Sequence, residues 1–349
     1  MLNRRRFLAA TPAALGALAF RAELLAQDGQ PAPPKIGRSS RLVDVSRASV
    51  SRVTVASAAT AKILQFTDLH FFGKTRDEDQ RTLRDLNRLV ELTKPDLLAV
   101  TGDLWHDNPD GQGFARMEFA VKQIDGLGVP WAFCWGNHDQ LDDYQRGHDL
   151  LEQARNSVYR GALTHGDYRL ELASSREPKV PRADLLFMNS SNIGLSDWQL
   201  AWFRATTLEL KSKRKQPLPA LAFFHIPVFE YKSLFQPGQN MGLQLEKVCN
   251  EEESGGALPE LKKPETLRAC FCGHDHLNDY VVRAGNLDLV YGRATGHAGY
   301  GGELLKKGAK LIEINLGRGS YTQTTVFADG TKWRAAESHQ PANKSRTLD

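Results

Sequence analysis

Residues 62–70 read Lys62-Ile63-Leu64-Gln65-Phe66-Thr67-Asp68-Leu69-His70, an apolar run that ends on a carboxylate and an imidazole. A short run rich in Ile, Leu and Phe reads as a buried strand, and this one stops at two side chains of metal-binding type. The next segment places Leu83, Leu86, Leu89 and Val90 at helical spacing, and after Pro95 a second run, Leu97 to Thr101, ends in Gly102-Asp103. Strand, helix and strand in this order make a β-α-β unit with parallel strands. The unit repeats: Met117, Val121, Ile124 and Leu127 mark a second helix, and Trp131 to Trp135 a third strand running into Gly136-Asn137-His138-Asp139.

Further along, Asp184 to Met188 reads as a strand, and Ser196-Asp197-Trp198-Gln199 has the capping-box pattern that opens a helix through Phe203. Leu221 to Phe224 runs into His225, and Ala269 to Cys272 into Gly273-His274-Asp275-His276. In an α/β sheet the carboxyl ends of strands converge on one crevice, so these five strand ends bring Asp, Asn and His side chains to one place. Glycines before Asp103, Asn137 and His274 allow the sharp turns that such an approach needs. From Lys310 to Phe327 polar and apolar residues alternate, which predicts antiparallel strands closing a sheet.

Composition sets the frame. With 349 residues, 41% hydrophobic and 25% charged, the chain is long enough to bury a core and is neither fibrous nor disordered in character. Residues 1–27 differ: Arg4-Arg5-Arg6-Phe7-Leu8 precedes a run from Ala9 to Phe20 that reads as a twin-arginine signal. That run is about a dozen residues, where a membrane span needs about twenty. The expectation is therefore an exported protein, periplasmic or secreted, that meets the twin-arginine export machinery and keeps no stable membrane anchor. Removing residues 1–19 takes three arginines from the formal charge of +4 and leaves +1, so no nucleic-acid partner is expected. The cluster Lys211, Lys213, Arg214, Lys215 reads as a solvated loop beside Pro217 and Pro219. The four cysteines, Cys134, Cys249, Cys270 and Cys272, have no metal-finger or disulfide-framework spacing. Residues 28–61 read as a linker and edge strand, 62–331 as the catalytic domain and 332–349 as a flexible tail.

Taken together, Asp68-x-His70, Gly102-Asp103, Gly136-Asn137-His138-Asp139, His225 and Gly273-His274-x-His276 resemble the calcineurin-like metallophosphoesterase signature over roughly Lys62 to Phe327. The resemblance implies a four-layer αββα sandwich of two mixed sheets. It implies one metal held by Asp68, His70, Asp103 and His276, a second by Asp103, Asn137, His225 and His274, with Asp103 bridging, and the ions drawn from Fe, Mn or Zn. It further implies that His138 contacts the phosphate and protonates the leaving oxygen while Asp139 orients His138. The stretches around His225, His274 and Thr295–Gly301 look most like the small purple-acid-phosphatase-related group. The chain departs from true purple enzymes in having His106 where they carry a tyrosine ligand, and in having His70, so a tyrosinate-iron colour is not expected.

The activity so implied is hydrolysis of a small-molecule phosphate ester by a water held between two divalent cations, with a monoester preferred. Hydrolysis of phosphodiesters, such as nucleotides or glycerophosphodiesters, is the alternative, and a non-catalytic, metal-stabilised binding protein is the alternative of another class. Asn137, His138, Arg293 and His297 are the candidate substrate contacts, and His106 and Tyr300 lie in segments that could border the pocket.

Overall fold

The computed structural model describes residues 50–72, 76–237 and 240–334. The expected export signal and most of the linker, within residues 1–49, lie outside them, as do residues 335–349.

The strands follow in chain order as β1 Ser51–Val55, β2 Thr60–Phe66, β3 Leu97–Thr101, β4 Trp131–Cys134, β5 Tyr168–Ser174, β6 Pro181–Phe187 and β7 Ala220–Phe223. The remainder are β8 Met241–Gln244, β9 Leu267–Cys272, β10 Asn278–Ala284, β11 Leu287–Tyr291, β12 Ala309–Asn315, β13 Tyr321–Val326 and β14 Lys332–Trp333. The main helices are α1 Asp77–Thr93, α2 Gly113–Gly126, α3 Tyr144–Gln153 and α4 Asp197–Lys213, with shorter α5 Glu230–Ser233 and α6 Ala257–Leu261.

Two mixed sheets result. One has eight strands in the order β1-β5-β6-β7-β9-β11-β10-β8, the other six in the order β14-β13-β12-β2-β3-β4. The predicted β-α-β units appear as the parallel pairs β2–β3 and β3–β4, and the alternating tail as the antiparallel pair β12–β13. Alternation along each strand sorts side chains between two cores. On β6, β7 and β9, Leu185, Phe187, Leu221, Phe223, Ala269 and Phe271 join the core between the sheets. Their neighbours Leu186, Ala222, Cys270 and Cys272 face outward onto Trp202 and Phe203 of α4, Tyr231 of α5 and Leu261 of α6. Helices α1 and α2 bury Leu86, Leu89, Met117, Val121 and Ile124 against the six-stranded sheet.

Tyr168, Phe187, Phe223 and Phe271 stack in register across four adjacent strands at ring separations of 5.1, 4.8 and 5.3 Å. Such pairs add about 0.5–1.5 kcal/mol each beyond area burial. The Tyr168 hydroxyl crosses to the other sheet, donating to the Phe133 carbonyl at 2.9 Å and accepting from its N–H at 2.8 Å. This rigid sandwich holds the strand ends that carry the site.

Two expectations change. Helix α4 starts at the Ser196 capping box but runs on to Lys213, so Lys211 and Lys213 sit in its last turn, where positive charge suits the helix dipole. Arg214 is tied to Asp184 and Glu171 at 2.9 and 2.8 Å and is no part of a solvated loop. Order also continues past residue 331: Lys332–Trp333 pair with β13, and the Trp333 indole is buried in the core. Two residues after a glycine turn are too few to announce a strand, and one buried indole fixes them.

Candidate metal centre

Five strand ends meet. The loop after β2 runs beside the loop after β3, with Asp68 N–H donating to the Gly102 carbonyl (3.2 Å), His70 N–H to that of Asp103 (2.9 Å) and Phe71 N–H to that of Leu104 (3.0 Å). The loop after β4 joins through His138 N–H donating to Asp103 Oδ1 at 2.9 Å, and the loop after β9 through His274 N–H donating to Asp68 Oδ1 at 3.1 Å. Asp68, His70, Asp103 and His274 have φ of 56°, 50°, 52° and 80°, the left-handed region that non-glycine residues avoid. Strain of this kind persists only where surroundings over-determine it, and it gathers at functional sites.

The preceding glycines serve two ends. Gly102, at φ 84°, makes a turn, and a Cβ there would also overlap the His225 ring. At Gly136 the need is space alone, because a Cβ would overlap Asp103 Oδ1.

Among the described residues, Asp68, His70, Asp103 and His276 bring one donor atom each within 4.8 Å of one another, and Asp103, His225 and His274 do the same. Asp103 is common to both groups. His70 Nε2 and His276 Nε2 face each other at 3.1 Å, with Asp103 Oδ2 3.6 Å from the first and Asp68 Oδ1 3.4 Å from the second. On the other side, His225 Nε2 faces Asn137 Oδ1 at 3.0 Å, Asp103 Oδ2 at 3.2 Å and His274 Nδ1 at 3.3 Å.

The ring orientations suit cations. A backbone carbonyl only accepts, so His225 Nδ1, 2.8 Å from the Thr101 carbonyl, carries a proton, and Nε2 is the nitrogen that would give its lone pair to a cation. His276 repeats this with Nδ1 3.2 Å from the Tyr300 carbonyl. Imidazole lone pairs, two carboxylates and an amide oxygen form a donor set for two borderline or hard divalent cations. Burial alone would raise the Asp68 and Asp103 pKa values. His276 beside the first, and His225 and His138 beside the second, outweigh that and keep both carboxylates charged.

His138 and Asp139 part company. Asp139 does not orient His138: its two oxygens accept the N–H groups of Asp103 (2.8 Å), Leu104 (2.8 Å), Trp105 (3.2 Å) and Gly136 (2.7 Å), clamping two ligand loops together. Burial, then the Asp103 carboxylate, pushes its pKa up to about 8, while the N–H donors pull against this. His138 Nδ1 instead pairs with Asp107 Oδ1 at 2.7 Å. Burial lowers the His138 pKa, but Asp103 and Asp107 outweigh it and hold it at about 9. Asp107 was missed in the sequence, although a carboxylate four residues after Asp103 in a ligand loop was the available signal.

Asp139→Ala should therefore act on stability. Each buried N–H left unsatisfied costs about 1–3 kcal/mol, so a loss of about 3 kcal/mol or more is expected in denaturant unfolding. An unchanged unfolding midpoint would remove the clamp.

The remaining candidates are placed as follows. The Arg293 side chain is buried, paired with Asp279 at 2.8 Å and donating to the Lys306 carbonyl, so it supports the fold and is not offered to a substrate. His297 is paired with Asp85 of α1 at 2.7 Å, which directs its ring to that helix. Both were expected to contact substrate, but the buried Asp279 captures the guanidinium and Asp85 the imidazole. Tyr300 does border the centre, its ring stacked on His276 at 4.0 Å and its hydroxyl donating to Glu246 at 2.9 Å. His106 lies against Phe72 at 4.1 Å, and its donor atom is grouped with those of His70 and His138.

The family model for calcineurin-like phosphoesterases matches residues 61–278. Among curated relatives, the protein named probable inactive purple acid phosphatase 28 of Arabidopsis thaliana is 28% identical over 75% of this chain and 77% of its own length. Phosphatase DCR2 of Saccharomyces cerevisiae is 26% identical over 64% of this chain and 45% of its own. Among solved structures, a dimetal phosphatase from Danio rerio superposes with a TM-score of 0.53 at 13% identity, covering 79% of this chain and 99% of that one. With a match over most of its length and both donor groups in the expected order, the chain belongs to the calcineurin-like phosphoesterase family.

Proposed function

We propose that the protein is a dinuclear metal-dependent phosphoric ester hydrolase acting on small phosphomonoesters. One observation carries this: two donor groups share Asp103, and a proton-bearing His138 stands beside them, held by its own carboxylate. Asp68, His70, Asp103 and His276 would hold one divalent cation and Asp103, Asn137, His225 and His274 the other. Bound there, a pair of Fe, Mn or Zn ions supplies Lewis acidity to phosphoryl oxygens and lowers the pKa of water from about 15.7 towards about 7.

The chain's own residues do the rest. Asn137 and His138 border the space over the donors and orient the ester. His138 keeps Nδ1–H on Asp107, which leaves Nε2 to hand a proton to the leaving oxygen. Tyr300 covers the His276 side against water. The twin-arginine pattern within residues 1–27 supports a periplasmic or secreted location, and among the described residues no helix is long and apolar enough to cross a membrane.

A second reading, a metal-stabilised binding protein without turnover, is favoured by the word inactive in the names of the Arabidopsis relatives. One experiment separates the two. Elemental analysis is combined with turnover of nitrophenyl phosphate and bis-nitrophenyl phosphate, before and after chelation. The proposed enzyme binds two ions, cleaves the monoester at least about ten-fold faster, and falls by about 10³-fold or more on chelation. Faster diester cleavage reverses the preference, and two bound ions without turnover of any phosphoester selects the binding protein.

A further inference from the structure

His274 turns Nδ1 towards His225 and Nε2 away from the centre, and 3.5 Å beyond Nε2 stands Glu251 Oε1. Glu251 lies in the loop between β8 and α6 and is pinned on both sides. Before it, Cys249 N–H donates to both oxygens of Asp275 at 3.3 and 3.2 Å, and Asp275 also takes the Tyr291 hydroxyl at 2.6 Å. After it, Glu252 N–H donates to the Ile193 carbonyl. The buried Glu253 carboxylate accepts the N–H groups of Phe229, Gly255 and Ala257. Between these anchors Glu251 takes φ 49°, a left-handed conformation at a non-glycine residue. The Cys249 thiol donates to the same Oε1 at 3.1 Å.

We infer that Glu251 is a positioning residue for one half of the metal centre: its carboxylate holds the outward Nε2–H of His274 and so presents Nδ1 to a cation as a lone pair. This rests on the dinuclear reading above and extends it to a residue outside the ligand set. His225 and His276 are fixed through backbone carbonyls, whereas His274, on the loop after β9, has a side chain for the purpose. A charged acceptor also raises the basicity of the ligating nitrogen, which a neutral carbonyl does less. Cys249, Glu251 and His274 also group as three donors, but a histidine bound through Nδ1 keeps its proton at Nε2 and has no second lone pair to give.

The test is titration of metal-free full-length protein with Mn²⁺ alone, followed calorimetrically, beside the ¹⁵N spectrum of the histidine rings. Glu251→Ala should weaken one of two binding steps by about 10–100-fold and leave the other unchanged. Glu251→Gln, which keeps an acceptor oxygen, should recover most of that loss, and Glu252→Ala should lose none. In the zinc-loaded protein the His274 Nε2–H resonance should be seen in wild type and exchange faster in Glu251→Ala. Two binding steps of wild-type strength in Glu251→Ala overturn the role of Glu251 alone. Fewer than two steps in wild type overturn the dinuclear reading and this inference with it. A third zinc equivalent that disappears in Cys249→Ser makes the trio a ligand set of its own, and likewise overturns the assignment.

Discussion

Asp103→Asn is expected to strip ions from both halves of the centre at once, taking bound metal from two equivalents to well under one and turnover down by about 10³-fold or more. The reason is geometric. Asp103 Oδ2 is 3.6 Å from His70 Nε2 and 3.2 Å from His225 Nε2, so the same carboxylate serves donor groups on opposite sides. The asparagine keeps an acceptor for the His138 N–H that now binds Oδ1, so the fold should survive the change. Asp68→Asn is the contrasting case. Asp68 belongs to the His70–His276 group only, and its loss should remove about one ion and spare the other. Elemental analysis of the two variants decides the matter, and equal stoichiometry in both would deny Asp103 its bridging place.

The candidate donors could be located in the sequence because strand ends are legible there, whereas the bridging place of Asp103 came from the family resemblance. Apolar runs such as Leu97–Thr101 and Trp131–Cys134 are buried on both faces, so their hydrophobicity is continuous and the first ligand-type residue marks the end of the strand. Strand β5 was passed over although Tyr168-Arg169-Leu170-Glu171-Leu172 carries the alternation of a half-buried strand; what that pattern does not announce is the network that holds its polar members Arg169 and Glu171 to Asp184 and Arg214. The hairpin β10–β11 was hidden as well, since it opens on the buried polar residues Asn278 and Asp279, whose side-chain oxygens meet partners far along the chain.

At the site, the candidate donors were readable because their chemistry is restricted to a few side-chain types at strand ends. Their supports were not. Asp139 is next to His138 in sequence, yet its carboxylate points at four backbone N–H groups, while the ring beside it looks to Asp107 on the loop after β3. Neighbours along an irregular loop diverge in space, and only the fold decides which carboxylate a histidine meets. Glu251 belongs to the same class, brought to His274 by a loop without any pattern of its own.

The pairing of His138 with Asp107 gives the other large expected effect. His138→Ala should keep both ions and lose at least about 10²-fold in kcat, because the leaving oxygen then departs without a positioned proton. The loss should be greatest on esters with poor leaving groups and slight on nitrophenyl esters of low leaving-group pKa. Wild-type kcat should be highest where His138 is protonated and fall as pH rises through its pKa, which the Asp107 carboxylate holds up. Asp107→Asn removes a negative charge 2.7 Å from Nδ1, so the pKa drops and the falling limb moves to lower pH, with a loss of about ten-fold at neutral pH. With the Asp103 charge shared among bound cations, Asp107 is the partner left to hold the proton on the ring. A limb that stays in place in Asp107→Asn, or persists in His138→Ala, assigns the proton to another group, of which His106, stacked 5.8 Å from His138, is the nearest candidate.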